Sequence, residues 1–401
     1  MTTPRVSFVL ATWNRRDVVL KTLDRIAACG LPRSEYEIIV VDNHSTDGTA
    51  AALTATGAAD VIELDRNLGS CAKAVGASRA AAPVILFLDD DSWPRAGCIS
   101  RMLAAFEERP RLAAAGFCVH LPGGAQECSA LPHVFVGCGV GLRTAALAQV
   151  GGLDPTFFMQ AEEYDLSFRL LAAGWQVETF SDLHVDHDKT PQSRRAARTT
   201  YFDTRNNLRI VGRHLSDAVA GVYWQDWTQR YRWLAQAHRH SRAFHRGLRS
   251  GMALAMRERL SGRFERLGEE AFEAVFRWRE IREHMNRLAA WGVRRISLVD
   301  LGKNVYPFVR AAAEQGIRIL ALGDDRFARP GRTYRGVPVV PLRDALETRA
   351  QAFVVSNTSY VHARQRWVEV SSRTSRPVFS WFDPPSTPCL PAAHAVPMYQ
   401  V

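Results

Sequence analysis

The sequence predicts a mixed α/β protein in three parts: an N-terminal α/β domain, a helical middle segment and a smaller C-terminal α/β domain. Three observations predict it. Up to about residue 213, short apolar runs alternate with segments of helical periodicity, the pattern of a layered α/β fold. One of these runs, Val84-Ile85-Leu86-Phe87-Leu88, is apolar at every position, as a strand buried on both faces of a parallel sheet is. From Arg294 a second alternation begins, after a stretch with few strand signals.

Taken in order, Val6 to Ala11 reads as the first strand, and Val19, Leu23, Ile26 and Ala27 then fall on one helical face. Glu37 to Val41 is the second strand and Val61 to Leu64 the third. Gly69 to Ala81 is an Ala-rich helix leading into the Val84–Leu88 strand. Beyond Pro132 the chain turns Gly-rich through Gly137-Cys138-Gly139-Val140-Gly141, and Glu162 to Leu171 is helical again. In the last part, Ile296–Leu301, Ile317–Leu322 and Ala352–Val355 read as strands and Val305–Gln315 as a helix. Five prolines between Phe382 and Val401 mark an irregular tail. The expected boundaries are residues 1–213, 214–292, 293–385 and 386–401.

Composition narrows the class. With 47% apolar and 23% charged residues the chain is an ordinary globular one, and no apolar stretch is long enough to span a bilayer. The N-terminus lacks the long apolar core of a signal peptide, so a cytoplasmic protein is expected. Seven cysteines without a C-x-x-C pair suggest neither a disulfide framework nor a zinc site, and all are expected to be small buried thiols. The basic residues are 47 Arg and 4 Lys, giving a net charge of +10. Between Arg213 and Arg295, 17 Arg face 9 Asp and Glu, so most of the excess lies there. Such a segment suits phosphorylated substrates or anionic lipid. No nucleic-acid motif accompanies it.

The chemistry gathers at the ends of the predicted strands. Asp89-Asp90-Asp91 closes the apolar run; carboxylates so close repel unless a cation or donors lie between them, and oxygen ligands suit Mg²⁺ or Mn²⁺. The competing reading is an acidic cap on a helix starting near Trp93-Pro94. Asn14 and Asp17, after the first strand, fit either a helix start or a binding role. Asp42 follows the second strand, where an acid can accept from a base or ribose, while Ser45 and Asp47 suit a cap of the next turn. Glu162-Glu163-Tyr164-Asp165 opens a helix, whose dipole tolerates acids, yet stabilisation alone does not call for so many.

Together these segments resemble a family 2 nucleotide-sugar glycosyltransferase with the GT-A fold, a Rossmann-like mixed sheet. The resemblance runs from Val6 to Asn207 in the family's order. It comprises Thr12 with Asn14-Arg15, Val40-Val41-Asp42-Asn43 through Thr49, Asn67-x-Gly69, Leu88-Asp89-Asp90-Asp91, and Gly151-Gly152-Leu153-Asp154. Glu162-Glu163-x-Asp165, His187 and Tyr201-Phe202-x-x-Arg205-Asn206 follow. It implies that Thr12, Asn14, Arg15, Asp42, Asn67, Gly69, Asp89, Asp90 and Glu162 bind substrate, Asp42 at the base of the nucleotide. It implies Asp91, Asp89 and His187 as ligands of Mn²⁺ or Mg²⁺, with His184 the lesser choice. Glu163 is then the base that deprotonates the acceptor, and Asp165 holds the acceptor. Two departures stand out: Val75 where the family often has Asn, and Glu163 where it usually has Asp.

The resemblance implies an inverting transfer from a nucleotide diphosphate-sugar to a hydroxyl of a glycan or lipid-linked acceptor, with no nucleic-acid partner. A degenerate, non-catalytic sugar-nucleotide or glycan binder and a sugar nucleotidyltransferase are the alternatives; the second would want a glycine-bearing phosphate loop, which Thr12–Arg16 lacks. Gln229-x-x-Arg232-Trp233 matches a signature of membrane polysaccharide synthases. In a segment so rich in Arg and Trp, coincidence accounts for it; were it functional, Trp233 would stack on an acceptor sugar. Peripheral contact with the inner membrane face and a homo-oligomer are compatible with the helical segment. The C-terminal part is Rossmann-like but has no Gly-x-Gly-x-x-Gly, so NAD is not supported.

Overall fold

The computed structural model describes residues 3–189 and 196–382; the expected tail, 386–401, lies outside them. Packing divides the chain into two compact units, Met1–Cys128 with His133–Ala271, and Ser129–Pro132 with Phe272–Val401. The division falls inside the stretch expected to form a helical middle segment.

In the first unit the strands are β1 (Val6–Thr12), β2 (Tyr36–Asp42), β3 (Asp60–Glu63), β4 (Val84–Asp89), β5 (Ser92–Pro94), β6 (Leu112–His120), β7 (Gln126–Glu127), β8 (Val140–Arg143) and β9 (Gln176–His187). Their order in one sheet is β3-β2-β1-β4-β8-β6-β9-β5, with β7 on β6. The first four are mutually parallel, and their register sets Thr12 beside Asp42 and Ala11 beside Asp89. Three sequence-distant acids or hydroxyls therefore end on one edge. β8 runs antiparallel to both β4 and β6, β9 lies parallel to β6, and β5 is antiparallel to β9 with Ser92 opposite His187. That last pairing carries a histidine from nearly a hundred residues away to the aspartate cluster. It also removes the helix-cap reading of Asp91, since Ser92–Pro94 is a strand and the next helix starts at Cys98.

Alternate residues of β1, β2 and β4 feed two cores. Phe8, Leu10, Ile38, Val40, Leu86 and Leu88 pack under α1 (Arg16–Ala27) and, after α2 (Thr49–Thr56) and α3 (Lys73–Arg79), under α4 (Cys98–Glu108). Val9, Ile39, Ile85 and Phe87 face α5 (Thr144–Val150) and α6 (Glu162–Ala172). Both faces are apolar because helices cover both. Truncating one such side chain, Leu86→Ala for example, costs about 2–5 kcal/mol. Ala27 is exposed rather than on the buried face, since α1 ends there. The expected helix from Gly69 is a 3₁₀ turn, Gly69–Ala72, followed by α3.

Three longer helices complete the unit, α7 (Ala197–His214), α8 (Asp217–Ala237) and α9 (Ser241–Ser261). Trp233 is buried within α8. No helix among the described residues is long and apolar enough to cross a membrane.

After α10 (Glu269–Phe276), the second unit holds α11 (Trp278–Ala290), β10 (Arg295–Val299), α12 (Tyr306–Glu314), β11 (Arg318–Gly323), β12 (Thr333–Tyr334), β13 (Val337–Val340), α13 (Leu342–Glu347), β14 (Ala352–Val355), α14 (Tyr360–Ser371) and β15 (Val378–Ser380). The sheet order is β12-β13-β11-β10-β14-β15, parallel except for the β12–β13 hairpin. At its switch point the strand-end groups satisfy one another. Asp300 accepts from Arg366 at 2.7 Å and Asn357 at 3.2 Å, and a Cβ on Gly302 would lie 2.9 Å from the Ser356 carbonyl.

Candidate active site

The carboxyl ends of β1 and β4 border a cavity of ≈ 420 Å³ whose lining includes Thr12, Arg15, Asn67, Gly69, Lys73, Asp89, Asp90, Asp91, Glu162, Glu163 and His187. Asp90 is buried among protein donors. Its Oδ2 accepts from Thr12 Oγ1 and its Oδ1 from Arg15 Nη1, both at 2.8 Å. Burial pushes its carboxyl up to about 6, against the pull of Arg15. Both oxygens thus meet protein donors, and Asp90 braces β4 against the end of β1 and Arg15 while also lining the cavity.

Asp89 and Asp91 differ. Asp91 Oδ2 accepts from Arg15 Nη2 at 2.8 Å, while its Oδ1 lies 3.0 Å from His187 Nε2. Asp89 Oδ2 lies 3.8 Å from the same nitrogen, and its Oδ1 is held by Lys73 Nζ at 2.5 Å. One oxygen of each aspartate is thus turned toward the same imidazole nitrogen. Carboxylate and imidazole donors are of the type that Mn²⁺ accepts. The group whose ligand atoms all lie within 4.8 Å of one another among the described residues is Asp89, Cys138 and His187.

Electrostatics follow from that geometry. Burial alone would raise the Asp89 carboxyl, but Lys73 and then His187 hold it well below the usual range. Burial disfavours charge on His187, yet its bonds to Asp91 and Cys138 push it up to about 10. Behind the ring, Nδ1 is 3.1 Å from Cys138 Sγ and 3.4 Å from Glu127 Oε2, so the imidazole is oriented from both sides. Lys73, itself buried, also donates to the Gly137 carbonyl at 2.9 Å. Lys73, Glu127 and Cys138 were missed from the sequence. One signal existed: Lys73 is among only four lysines in an arginine-dominated chain. Cys118 and Cys128 are only partly buried, contrary to expectation.

Glu162 and Glu163, which also line the cavity, open α6. The turn before them is strained, with Phe158, Gln160 and Ala161 at φ of 67°, 67° and 64°. Its carbonyls are clamped by α7. Asn206 Nδ2 reaches the oxygens of Phe157, Met159 and Gln160 at 3.1, 2.7 and 2.7 Å, and Arg205 Nη2 those of Thr156 and Phe157 at 2.9 and 2.7 Å. Gly69 has φ 67°, and a Cβ there would sit 2.2 Å from the Phe158 carbonyl, so this position excludes side chains. Asn67 accepts from Gly69 N at 2.8 Å and shapes that turn. Glu162 bonds Ser70 Oγ; its other oxygen is buried without a partner, and burial pushes its carboxyl up.

Four expected site residues are placed elsewhere. Asp165 is fully buried, bonded to Arg169 Nη2 and Arg213 Nη1 at 2.7 Å and His214 Nε2 at 2.8 Å, so it cannot hold an acceptor. Trp233 is buried in α8 and does not line the cavity, which rules out stacking on a sugar there. Asn14 accepts from Thr46 N at 2.7 Å, linking two strand-end loops, and is not part of the cavity lining. His184 pairs with His120 at 3.0 Å, away from the aspartates. Asp42 is buried at the end of β2, its Oδ2 accepting from Ser45 N at 2.9 Å and its Oδ1 without a partner.

Comparison with known families now bears on this arrangement. The family model described as glycosyl transferase family 2 matches residues 7–133, and that of glycosyl transferase family group 2 matches residues 123–262. The chain belongs to glycosyltransferase family 2. It is 30% identical over 105 residues to glycosyltransferase AglE of Haloferax volcanii, covering 25% of this chain and 34% of that one. It is 34% identical over 102 residues to the undecaprenyl-phosphate 4-deoxy-4-formamido-L-arabinose transferase of Sodalis glossinidius, 23% of this chain and 31% of that one. The chain thus matches about one third of the length of these curated relatives. Among solved structures it resembles S. aureus TarS 1–349 in complex with UDP-GlcNAc, at a TM-score of 0.50 and 14% identity over 83% of this chain and 99% of that one. The first unit has the GT-A fold of this glycosyltransferase family.

Proposed function

We propose that this protein transfers a sugar, with inversion, from a nucleoside diphosphate-sugar to a hydroxyl of a glycan or lipid-linked acceptor. The observation that carries it is that Asp89 and Asp91, each with an oxygen within 4 Å of His187 Nε2, line with His187 the same cavity as Glu163. Asp91, Asp89 and His187 hold Mn²⁺ or Mg²⁺, which when bound neutralises charge on the departing diphosphate. Lys73 keeps Asp89 ionised, Arg15 orients Asp91, and Lys73 adds a buried positive charge beside the diphosphate. The partnerless Oδ1 of Asp42 suits an N–H of the nucleotide base.

Glu163 takes the proton of the acceptor hydroxyl as its oxygen bonds to the anomeric carbon, and the diphosphate leaves from the opposite face with the bonding pair. Glu162, beside it, belongs to the substrate contacts. A positioned base contributes ~10²–10⁴-fold. Glu163→Gln should therefore lower kcat by about that factor while leaving donor binding intact, measured by nucleoside diphosphate release and calorimetry. Unchanged turnover in this variant would remove Glu163 from the reaction. Asp91→Asn should abolish Mn²⁺ binding by titration and make release insensitive to chelator.

A further inference from the structure

Met252, Met256 and Leu260 of α9 are exposed by 49, 68 and 82%. Spaced by four, they form one stripe. At 100° per residue, Met252, His245, Met256, Arg249, Arg242, Leu260, Ala253, Arg246 and Arg257 fall within an arc of roughly 140°, and every one of them is exposed. No carboxylate of the helix lies in this arc. Its single acid, Glu258, is buried on the far side, bonded to Arg209 at 2.7 Å and to Arg213.

The inward face of α9 is already satisfied. A Cβ on Gly247 would lie 2.6 Å from the Tyr201 carbonyl and one on Gly251 2.8 Å from that of Arg205, so α9 and α7 are in backbone contact. The outer stripe is therefore not a remnant of a core. Its chemistry is four arginines and three flexible apolar side chains without a compensating acid. A second copy on a two-fold axis would set arginine against arginine. Nucleic acid would meet the arginines but leave the aliphatic stripe, which has no aromatic ring, without a role.

We propose that α9 lays this face on an anionic lipid bilayer, arginines among the headgroups and Met252, Met256 and Leu260 at the acyl boundary. The proposal does not depend on the transfer reaction, and its test needs no turnover. The full chain is sedimented with vesicles of phosphatidylcholine alone or mixed with phosphatidylglycerol. Binding is expected only to the mixed vesicles and should weaken with salt. Each arginine neutralised should cost about fivefold, so Arg246→Gln with Arg249→Gln should cost ~25-fold. Met256→Glu with Leu260→Glu should abolish binding. Unchanged melting temperatures of these surface variants establish that they fold. No sedimentation of the wild type, equal binding to both vesicle types, or unaltered binding of the variants would overturn the proposal. So would a solution dimer that Leu260→Glu separates, which would make the face a contact between copies.

Discussion

Asp165 and Asp91 are both acids at strand or helix ends, yet their surroundings give them different work. Asp91 lines the cavity with its oxygens on Arg15 and His187, whereas Asp165 lies outside that lining with both oxygens on Arg169, Arg213 and His214. Removing one partner from a buried ionic cluster costs about 3–5 kcal/mol. Asp165→Asn is expected to lose that much in urea unfolding at neutral pH. Burial works to raise the Asp165 carboxyl, but His214 and the two arginines hold it far below its ordinary value. The unfolded chain, with an Asp of about 3.9, therefore takes up its proton first as pH falls. The stability this group contributes is present above ~pH 5 and is lost progressively below it. Between ~pH 5 and pH 2 the wild type should lose stability more steeply than Asp165→Asn; parallel curves would sink this account. From the sequence alone the roles of Glu163 and Asp165 look interchangeable, because spacing along one helix does not say which acid meets an arginine of another.

At the scale of elements, α7 acts on chemistry that it does not touch. Arg205 and Asn206 hold the carbonyls of the strained 156–160 turn, and that turn aims the first turn of α6 into the cavity. Asn206→Ala leaves those carbonyls without their donor, and relaxation of the turn should displace Glu163. The expected outcome is a fall in kcat of about 10²-fold, the loss a misplaced catalytic group produces, with nucleotide affinity and the circular dichroism spectrum little changed. Equal losses in kcat and nucleotide affinity would place Asn206 in the donor site instead. The motif Tyr201-Phe202-x-x-Arg205-Asn206 was visible in the sequence; its task as a clamp was not.

The elements themselves were unequally legible. β1, β2 and β4 are buried on both faces, so apolar runs announce them. β9 went unanticipated because its pattern mixes exposed and buried positions without clean alternation. β6 contains Ala113-Ala114-Ala115, small residues that carry no strand preference. β9 carries His187, and β7, which carries Glu127, pairs with β6, which is why the back of the site was missed.

For the whole molecule, two compact units with separate sheets predict that a ligand stabilises only the one it binds. In calorimetry of the full chain, Mn²⁺ with the preferred nucleoside diphosphate should raise one unfolding transition and leave another in place. A single transition that shifts as a whole would mean that the units unfold as one. The helical stretch 214–292 read as one segment because composition is uniform along it, but packing assigns α8 and α9 to the first unit and α11 to the second.

Local patterns sufficed for the α/β class, the succession of parallel strands, the acidic strand end and the family, since apolar periodicity and short motifs are properties of neighbouring residues. Tertiary structure alone decided which acids face the cavity, that Asp90 is a brace, that Lys73 and His187 share Asp89, and that Trp233 is core. Those outcomes depend on partners dozens to a hundred residues apart, and a carboxylate's role is set by the charge and burial it meets after folding.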